Sequence, residues 1–225
     1  VTLFERGATV LLTPAGAVLV KQAQEILNQL DDLLDHAGQF QTDFQHELKL
    51  GVIPTIAPFL LPGLLKALRS QYSEQKLFVR EDLSHNLLAK LSAGELDVLL
   101  FALPYVTEPH HVEPLFDDRL VLCLPARHNL TEQQAVSVKD IKQHDILLLE
   151  DGHCLRDQAL SACRFDSRDL SVPYQATSLS TLVQMVVNNI GITLLPEMAV
   201  KANITHDTDA QIRHIETDYD LTRTI

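Results

Sequence analysis

The sequence predicts an α/β fold with two α/β subdomains in series, a cleft between them, and a long amphipathic helix in front. Three observations lead there. Short apolar runs alternate with helix-period stretches from Leu48 to Phe101. A break rich in Pro and His spans Pro104 to Pro114, and a second alternation then runs from Leu120 to Leu195. Strands that alternate with helices imply parallel pairing through crossovers. At 225 residues the chain is long enough for two modest domains. With 5% aromatics and no Trp, its core must be aliphatic.

Taken in order, Val1 to Leu12 reads as a short, exposed β-ribbon. Thr13 and Pro14 then open a helix, with Thr as N-cap and Pro in the first turn. Apolar residues recur at Leu19, Ala23, Ile26, Leu30, Leu33 and Ala37, a heptad seam with polar neighbours such as Lys21, Glu25, Asp31 and Asp32. A narrow seam favours pairing with a second helix over packing on its own domain, and Gly38 ends it. Leu48 to Ile53 is predicted as a strand, Pro54 to Leu68 as a helix, Leu77 to Val79 as a strand, a helix covers Leu87 to Leu91, and Leu96 to Phe101 is a strand. In the second half, Leu120 to Leu124 and Asp145 to Leu149 are strands. The segment from Cys154 to Cys163 is rich in helix formers. Tyr174 to Ala176, a helix from Ser178 or Ser180 to Val187, and a strand from Gly191 to Leu195 complete the pattern.

The net charge of −12 argues against this stretch binding nucleic acid or an anionic membrane surface by itself. No apolar run reaches the roughly 18 residues of a membrane span, and no signal-peptide pattern opens the chain. An odd number of cysteines, three, does not make a secreted disulfide framework, so a cytoplasmic location is expected. Cys154 and Cys163 are the informative pair. In a regular helix, nine steps of about 100° turn them to opposite faces, and a rise of about 1.5 Å per residue separates them by roughly 13 Å. A disulfide needs Cα atoms within about 7 Å. The pair therefore cannot be both helical and bonded, and bonding would unwind the segment, as a redox switch requires.

Leu3 to Arg6 followed by Leu12 to Gly16 resembles the wing and linker-helix entry of LysR-type transcriptional regulators. Leu50 to Pro58, Gly94 to Val98 and Gly191 to Pro196 resemble that family's effector domain. Glu150 to Ala159, the spacing to Cys163, and Ala176 to Leu182 are similar to its hydrogen-peroxide-sensing members. The resemblance covers essentially the whole chain, and the cysteine motif is its most specific part. It implies a periplasmic-binding-protein-like effector domain with subdomain I at residues 42–116 and 223–225 and subdomain II at 117–222. A linker and dimerisation helix at 13–41 and a winged-helix remnant at 1–12 precede it. It implies that peroxide converts Cys154 to a sulfenic acid and that Cys163 resolves it to a disulfide. It further implies a homodimer or homotetramer that binds promoter DNA through an N-terminal helix-turn-helix domain and contacts RNA polymerase. A thiol reductant such as glutaredoxin or thioredoxin would reset it. Thr55 and Ser84 match the residues that hold peroxide, with Ser84 keeping the hydroxyl of a threonine and losing its methyl. His153, Arg156 and Asp157 match the groups beside the sensing thiol. Compared with the family, the chain is expected to begin inside the wing and to stop before a further strand and helix, so that it would not bind an operator unaided. No enzyme activity, cofactor, metal or membrane partner is expected.

The residue types suit that chemistry. The thiolate is the nucleophile, and a free Cys with pKa near 8.5 is only slightly ionised at neutral pH. A first-turn position favours an anion, and Arg156 is the expected source of a constant positive field because His is largely neutral at pH 7. His153, Thr55, Ser84 or a water could deliver a proton to the departing hydroxide. Alternatively, Asp151 to His153 only caps a helix, with Arg156 and Asp157 a solvated pair. Cys123 in an apolar strand reads as core, and His110 and His111 read as a surface loop rather than a metal site. Two other functions stay open: a regulator that binds a small anionic metabolite in the cleft, and a thiol peroxidase, against which the N-terminal helix argues.

Overall fold

The computed structural model describes residues 2–5, 11–23, 26–27, 47–105, 107, 109–133, 136–163 and 174–225. Strands β1 (Phe4–Glu5) and β2 (Leu11–Leu12) pair antiparallel as the expected ribbon. Helix α1 begins at residue 14, and the Thr13 hydroxyl accepts from Gly16 N–H at 2.9 Å, the predicted cap. Its seam residues Leu19 and Ile26 are exposed, at 44% and 65%. Leu30, Leu33 and Ala37 lie outside the described residues.

The first α/β unit comprises β3 (Leu48–Val52), α2 (Ala57–Gln71), β4 (Leu77–Glu81), α3 (Ser84–Ser92) and β5 (Val98–Leu100). Its sheet runs β4-β3-β5, all parallel, with Leu50 beside Val79 and Val98. Gly51 permits α3 and the β5 side chains to close on β3, since a Cβ there would meet Leu99 Cδ2 at 2.5 Å and Leu96 Cδ1 at 2.9 Å. The helix expected from Pro54 starts instead at Ala57, capped by Ile56 with Pro58 in its first turn. Thr55 therefore sits in the turn between β3 and α2.

The second unit is a mixed sheet. Strands β6 (Asp117–Leu124), β8 (Ile146–Leu149), β9 (Gln175–Ala176), β10 (Ile192–Pro196) and β11 (Gln211–Arg213) lie in the order β11-β6-β10-β8-β9. Strand β13 (Thr222–Thr224) pairs with the start of β6. Strand β6 is antiparallel to β10, β11 and β13, while β8 is parallel to β10 and β9. Period-two alternation splits each central strand between two apolar layers. Cys123, Leu147 and Leu149 pack with α6 (Leu179–Val187), whereas Leu122, Leu124, Ile146 and Leu148 face the layer holding Cys163 and Ile141. Short elements α4 (Val138–Ile141), α7 (Glu197–Lys201), β7 (Val136–Ser137) and β12 (Ile215–Glu216) complete the unit. Residues 222–225 tie the two sheets together. Thr224 bridges Leu103, and Ile225 is buried in the first unit's core with Leu50, Ile53 and Ile56. Among the described residues no helix is long and apolar enough to cross a membrane.

Candidate functional site

The site forms where two helices begin. After β8, a tight turn at Asp151 and Gly152 reverses the chain, and Gly152 takes φ +96°, a conformation that disfavours residues with a Cβ. His153 is the N-cap of α5 (Cys154–Ala162), so Cys154 is the first helical residue. Ser84 is the first residue of α3. The Ser84 Oγ and Cys154 Sγ lie 2.7 Å apart, and both residues are buried. Two helix N-termini thus meet at one sulfur, and both dipoles favour negative charge there. Cys163 caps the other end of α5, fully buried, and all three cysteines are free thiols. The expected helix between the cysteines is therefore present, with the two thiols at its opposite ends.

Electrostatics correct part of the sequence reading. Burial pushes the Cys154 thiol above its ordinary value. The Ser84 hydrogen bond, its own backbone N–H and the Arg223 charge oppose that rise, and Asp157 adds to it. The cation acting on the sulfur is Arg223, not Arg156. Arg156 is committed elsewhere: its Nε meets Asp151 Oδ1 at 2.9 Å and its Nη1 donates to the Leu149 carbonyl at 3.0 Å. It holds the turn ahead of Cys154 in shape. The sequence-based field from Arg156 fails because its side chain satisfies the carbonyl at the end of β8.

Arg223 is wholly buried and fully engaged. It donates to Asp118 Oδ2 from Nε at 3.1 Å and from Nη2 at 3.0 Å. It also donates to Thr55 Oγ1 from Nη1 at 2.9 Å and to the Thr55 carbonyl from Nη2 at 3.1 Å. Asp118 Oδ1 accepts from the backbone N–H of Met198 at 2.9 Å. Thr55 is therefore brought to the site through Arg223. Sequence reasoning passed over both Arg223 and Asp118, although a signal was present. Leu221, Arg223 and Ile225 alternate with two threonines, the pattern of a strand whose odd residues point inward.

The remaining candidates fall as follows. His153 is buried, and burial lowers its pKa against the opposing charge of Glu150, so its imidazole is neutral at pH 7. Asp157 lines a cavity of about 170 Å³ with Cys154, His85, Pro104, Tyr105 and Gln158. Gln158 Nε2 donates to the Leu103 carbonyl at 2.9 Å, tying α5 to the connector between the sheets. Burial raises the Cys163 thiol to about 12 and the Cys123 thiol to about 12. Cys123 packs against α6 in the apolar layer opposite the one that holds Cys163. His110 Nε2 lies 2.8 Å from Ser92 Oγ, and His111 faces Glu113 at the surface. The polar run Arg164 to Asp169, expected as a loop, lies outside the described residues.

The chain's likeness to known proteins agrees with this geometry. The family model for the LysR substrate binding domain matches residues 41–222. A "probable hydrogen peroxide-inducible genes activator" from Streptomyces viridosporus is 42% identical over 208 residues, covering 91% of this chain and 66% of that protein. The chain thus spans about two thirds of that curated relative. A full-length OxyR from Pseudomonas aeruginosa, solved as a cysteine-to-aspartate variant, superposes with TM-score 0.82 at 31% identity, over 100% of this chain and 72% of that one. A Corynebacterium glutamicum OxyR, solved as a cysteine-to-serine mutant with H2O2 bound, gives TM-score 0.75 at 31% identity, over 100% and 71%. The chain belongs to the LysR family of transcriptional regulators, through the family's substrate-binding domain and alongside its hydrogen-peroxide-inducible activators.

Proposed function

We propose that this chain is the hydrogen-peroxide-sensing part of a transcriptional regulator of oxidative-stress genes. The reading rests above all on Cys154, whose sulfur touches Ser84 at the start of two helices while a second free thiol waits at the far end of α5. The Cys154 thiolate attacks one peroxide oxygen. The O–O bond breaks, the sulfur is oxidised to S–OH, and hydroxide leaves as water with a proton relayed by Ser84 or His153. Thr55, anchored by Arg223, offers a hydroxyl to the bound peroxide, and Asp157 stands at the mouth. The Cys163 thiol then displaces water from the sulfenic acid, forming the disulfide. A buried thiol with its pKa near 12 is a poor nucleophile in place. α5 must therefore open before the second step, which makes that opening the conformational signal.

In this scheme residues 42–116 with 223–225 form one effector subdomain and 117–222 the other. The exposed apolar residues of α1, among them Val18, Leu19, Ile26 and Leu27, pair with a second copy. Promoter DNA, RNA polymerase and a glutaredoxin- or thioredoxin-type reductant act on the whole protein in the cytoplasm. The test is a mass-resolved thiol count after stoichiometric peroxide. Wild type should lose the thiols of Cys154 and Cys163 and keep Cys123, and Cys163→Ser should stop at a dimedone-reactive sulfenic acid on Cys154. Unchanged peroxide consumption by Cys154→Ser would overturn the assignment.

A further inference from the structure

One cation stands between two anions at this site. Arg223 on β13 lies directly across from Asp118 on β6, a cross-strand pair of opposite charge. A guanidinium has five N–H donors. Arg223 gives two of them, from Nε at 3.1 Å and Nη2 at 3.0 Å, to the same oxygen of Asp118. Others hold the Thr55 hydroxyl and carbonyl. The second Asp118 oxygen takes the Met198 N–H at 2.9 Å, so the carboxylate is fixed on both sides. The same guanidinium favours an anion at the Cys154 sulfur, and Asp157 disfavours one. The two carboxylates differ in their access to water. Asp157 is exposed, whereas Asp118 and Arg223 have side-chain exposures of 4% and 0%. Charges at that depth are screened weakly. Asp117 and Arg119, on either side of Asp118 in β6, are exposed, and Glu197 at the start of α7 pairs with Lys201. At the sulfur itself, His153 is neutral, and His85 and Tyr105 line the cavity.

On the reading that Cys154 is the peroxide-reactive thiol, we infer that Asp118 is a positioning residue with a second effect. It competes with the Cys154 sulfur for the Arg223 charge, and so sets the peroxide level at which the site responds. When Cys154 loses its proton, one buried guanidinium faces two anions, and the carboxylate already bound to it takes most of its field. Without Asp118 the thiolate becomes the counter-ion of Arg223, and the proton leaves more easily. More thiolate then attacks peroxide faster. Asp118 therefore holds Arg223 in place for Thr55 while it quiets the sulfur.

The test reads the pH midpoint of Cys154 alkylation by iodoacetamide, resolved by mass, in a Cys163→Ser background. Asp118→Asn and Asp118→Ser both remove the charge; two are used because Asn sets an N–H donor against either Arg223 or the Met198 N–H. In each the midpoint should fall by about one pH unit or more, with alkylation at pH 7 about tenfold faster. Asp118→Glu should restore the wild-type midpoint. The double variant Arg223→Met with Asp118→Leu, which removes the cation as well, should show no fall. A fall of the same size there would mean that the carboxylate acts without Arg223 or that the site has merely opened, and would overturn the inference. An unmoved or raised midpoint in the neutral variants, or Asp118→Glu behaving as they do, would overturn it too. If neither neutral variant folds, the double variant decides alone. A midpoint near wild type bears out a cation whose field Asp118 already offsets, and a rise of about one pH unit or more shows Arg223 acting undamped and overturns the inference. Failure of peroxide to oxidise Cys154 in the unsubstituted chain would instead overturn the sensing reading, while the alkylation midpoints still decide the role of Asp118.

Discussion

Replacing Arg223 with Met tests the electrostatic framework of the site. Arg223 and Asp118 have side-chain exposures of 0% and 4% and meet at 3.0 Å. Removing the guanidinium leaves the carboxylate buried with, among the described residues, the Met198 N–H to solvate it. Breaking a buried pair from one side costs about 3–5 kcal/mol. In a chain of this size each kcal/mol lowers Tm by about 2–4 °C, so a fall of roughly 6–20 °C is expected. Arg223→Met combined with Asp118→Leu replaces both charges with apolar groups and should recover much of that loss, because the cost lies in the orphaned charge. Calorimetric melting of wild type, both single variants and the double variant closes the cycle. A single-variant loss below about 1 kcal/mol, or a double variant no more stable than Arg223→Met, would refute the reasoning.

Three further outcomes follow from the same geometry. Ser84→Ala removes a hydrogen bond to an ionised sulfur, which is worth about 1.5–3 kcal/mol. It should slow sulfenic acid formation by about 10- to 100-fold, while Ser84→Thr stays near wild type; an unchanged rate in stopped-flow oxidation would dismiss the contact. Because burial dominates and raises the Cys154 thiol, less thiolate is present at neutral pH than in a free cysteine, and the oxidation rate should keep climbing past pH 8.5, up to about tenfold per unit. A rate flat above pH 7 would contradict that. Burial and the neighbouring His144 hold His128 below its ordinary pKa of 6.5, and its Nδ1 accepts from Leu130 N–H at 3.3 Å. The unfolded chain therefore takes up the proton first as pH falls. This contribution to stability is complete above about 6.5 and is lost as pH falls toward the lowered folded value. His128→Gln should flatten the fall in Tm over that acid window, and an unaltered slope would exclude His128 as its cause.

The fold was legible where one period ran long enough to be read. Leu48 to Ile53 and Leu120 to Leu124 announce buried strands, and the stretch between the two cysteines announces a helix. What stayed hidden was partnership between distant segments. Nothing near Thr55 signals that Arg223, 168 residues later, binds both its hydroxyl and its carbonyl. The second sheet looked like a repeat of the parallel first, yet β10, β11 and β13 all run against β6. Strands of three residues such as Gln211–Arg213 are too short for their alternation to stand out. At the site, the motif pointed to Cys154, Ser84 and Thr55, of which the structure puts the first two in contact and ties Thr55 to Arg223; Arg156 is engaged elsewhere. Its position in the first turn of α5 suggested a field on the sulfur, whereas the Leu149 carbonyl and Asp151 claim its side chain.

The strap formed by residues 222–225 gives the fold a birth order. Both sheets, and the cation that acts on Cys154, depend on a segment made long after Thr55 and Cys154. At about 5–20 residues per second, translation from Thr55 to Arg223 takes roughly ten to thirty seconds. Over its last part, from Cys163 to Arg223 and roughly three to twelve seconds long, a nascent chain holds both cysteines on a helix-forming segment without the guanidinium that acts on Cys154. Before the strap closes, Cys154 has neither the burial that raises its thiol nor the guanidinium that opposes that rise, so its folded chemistry is set last.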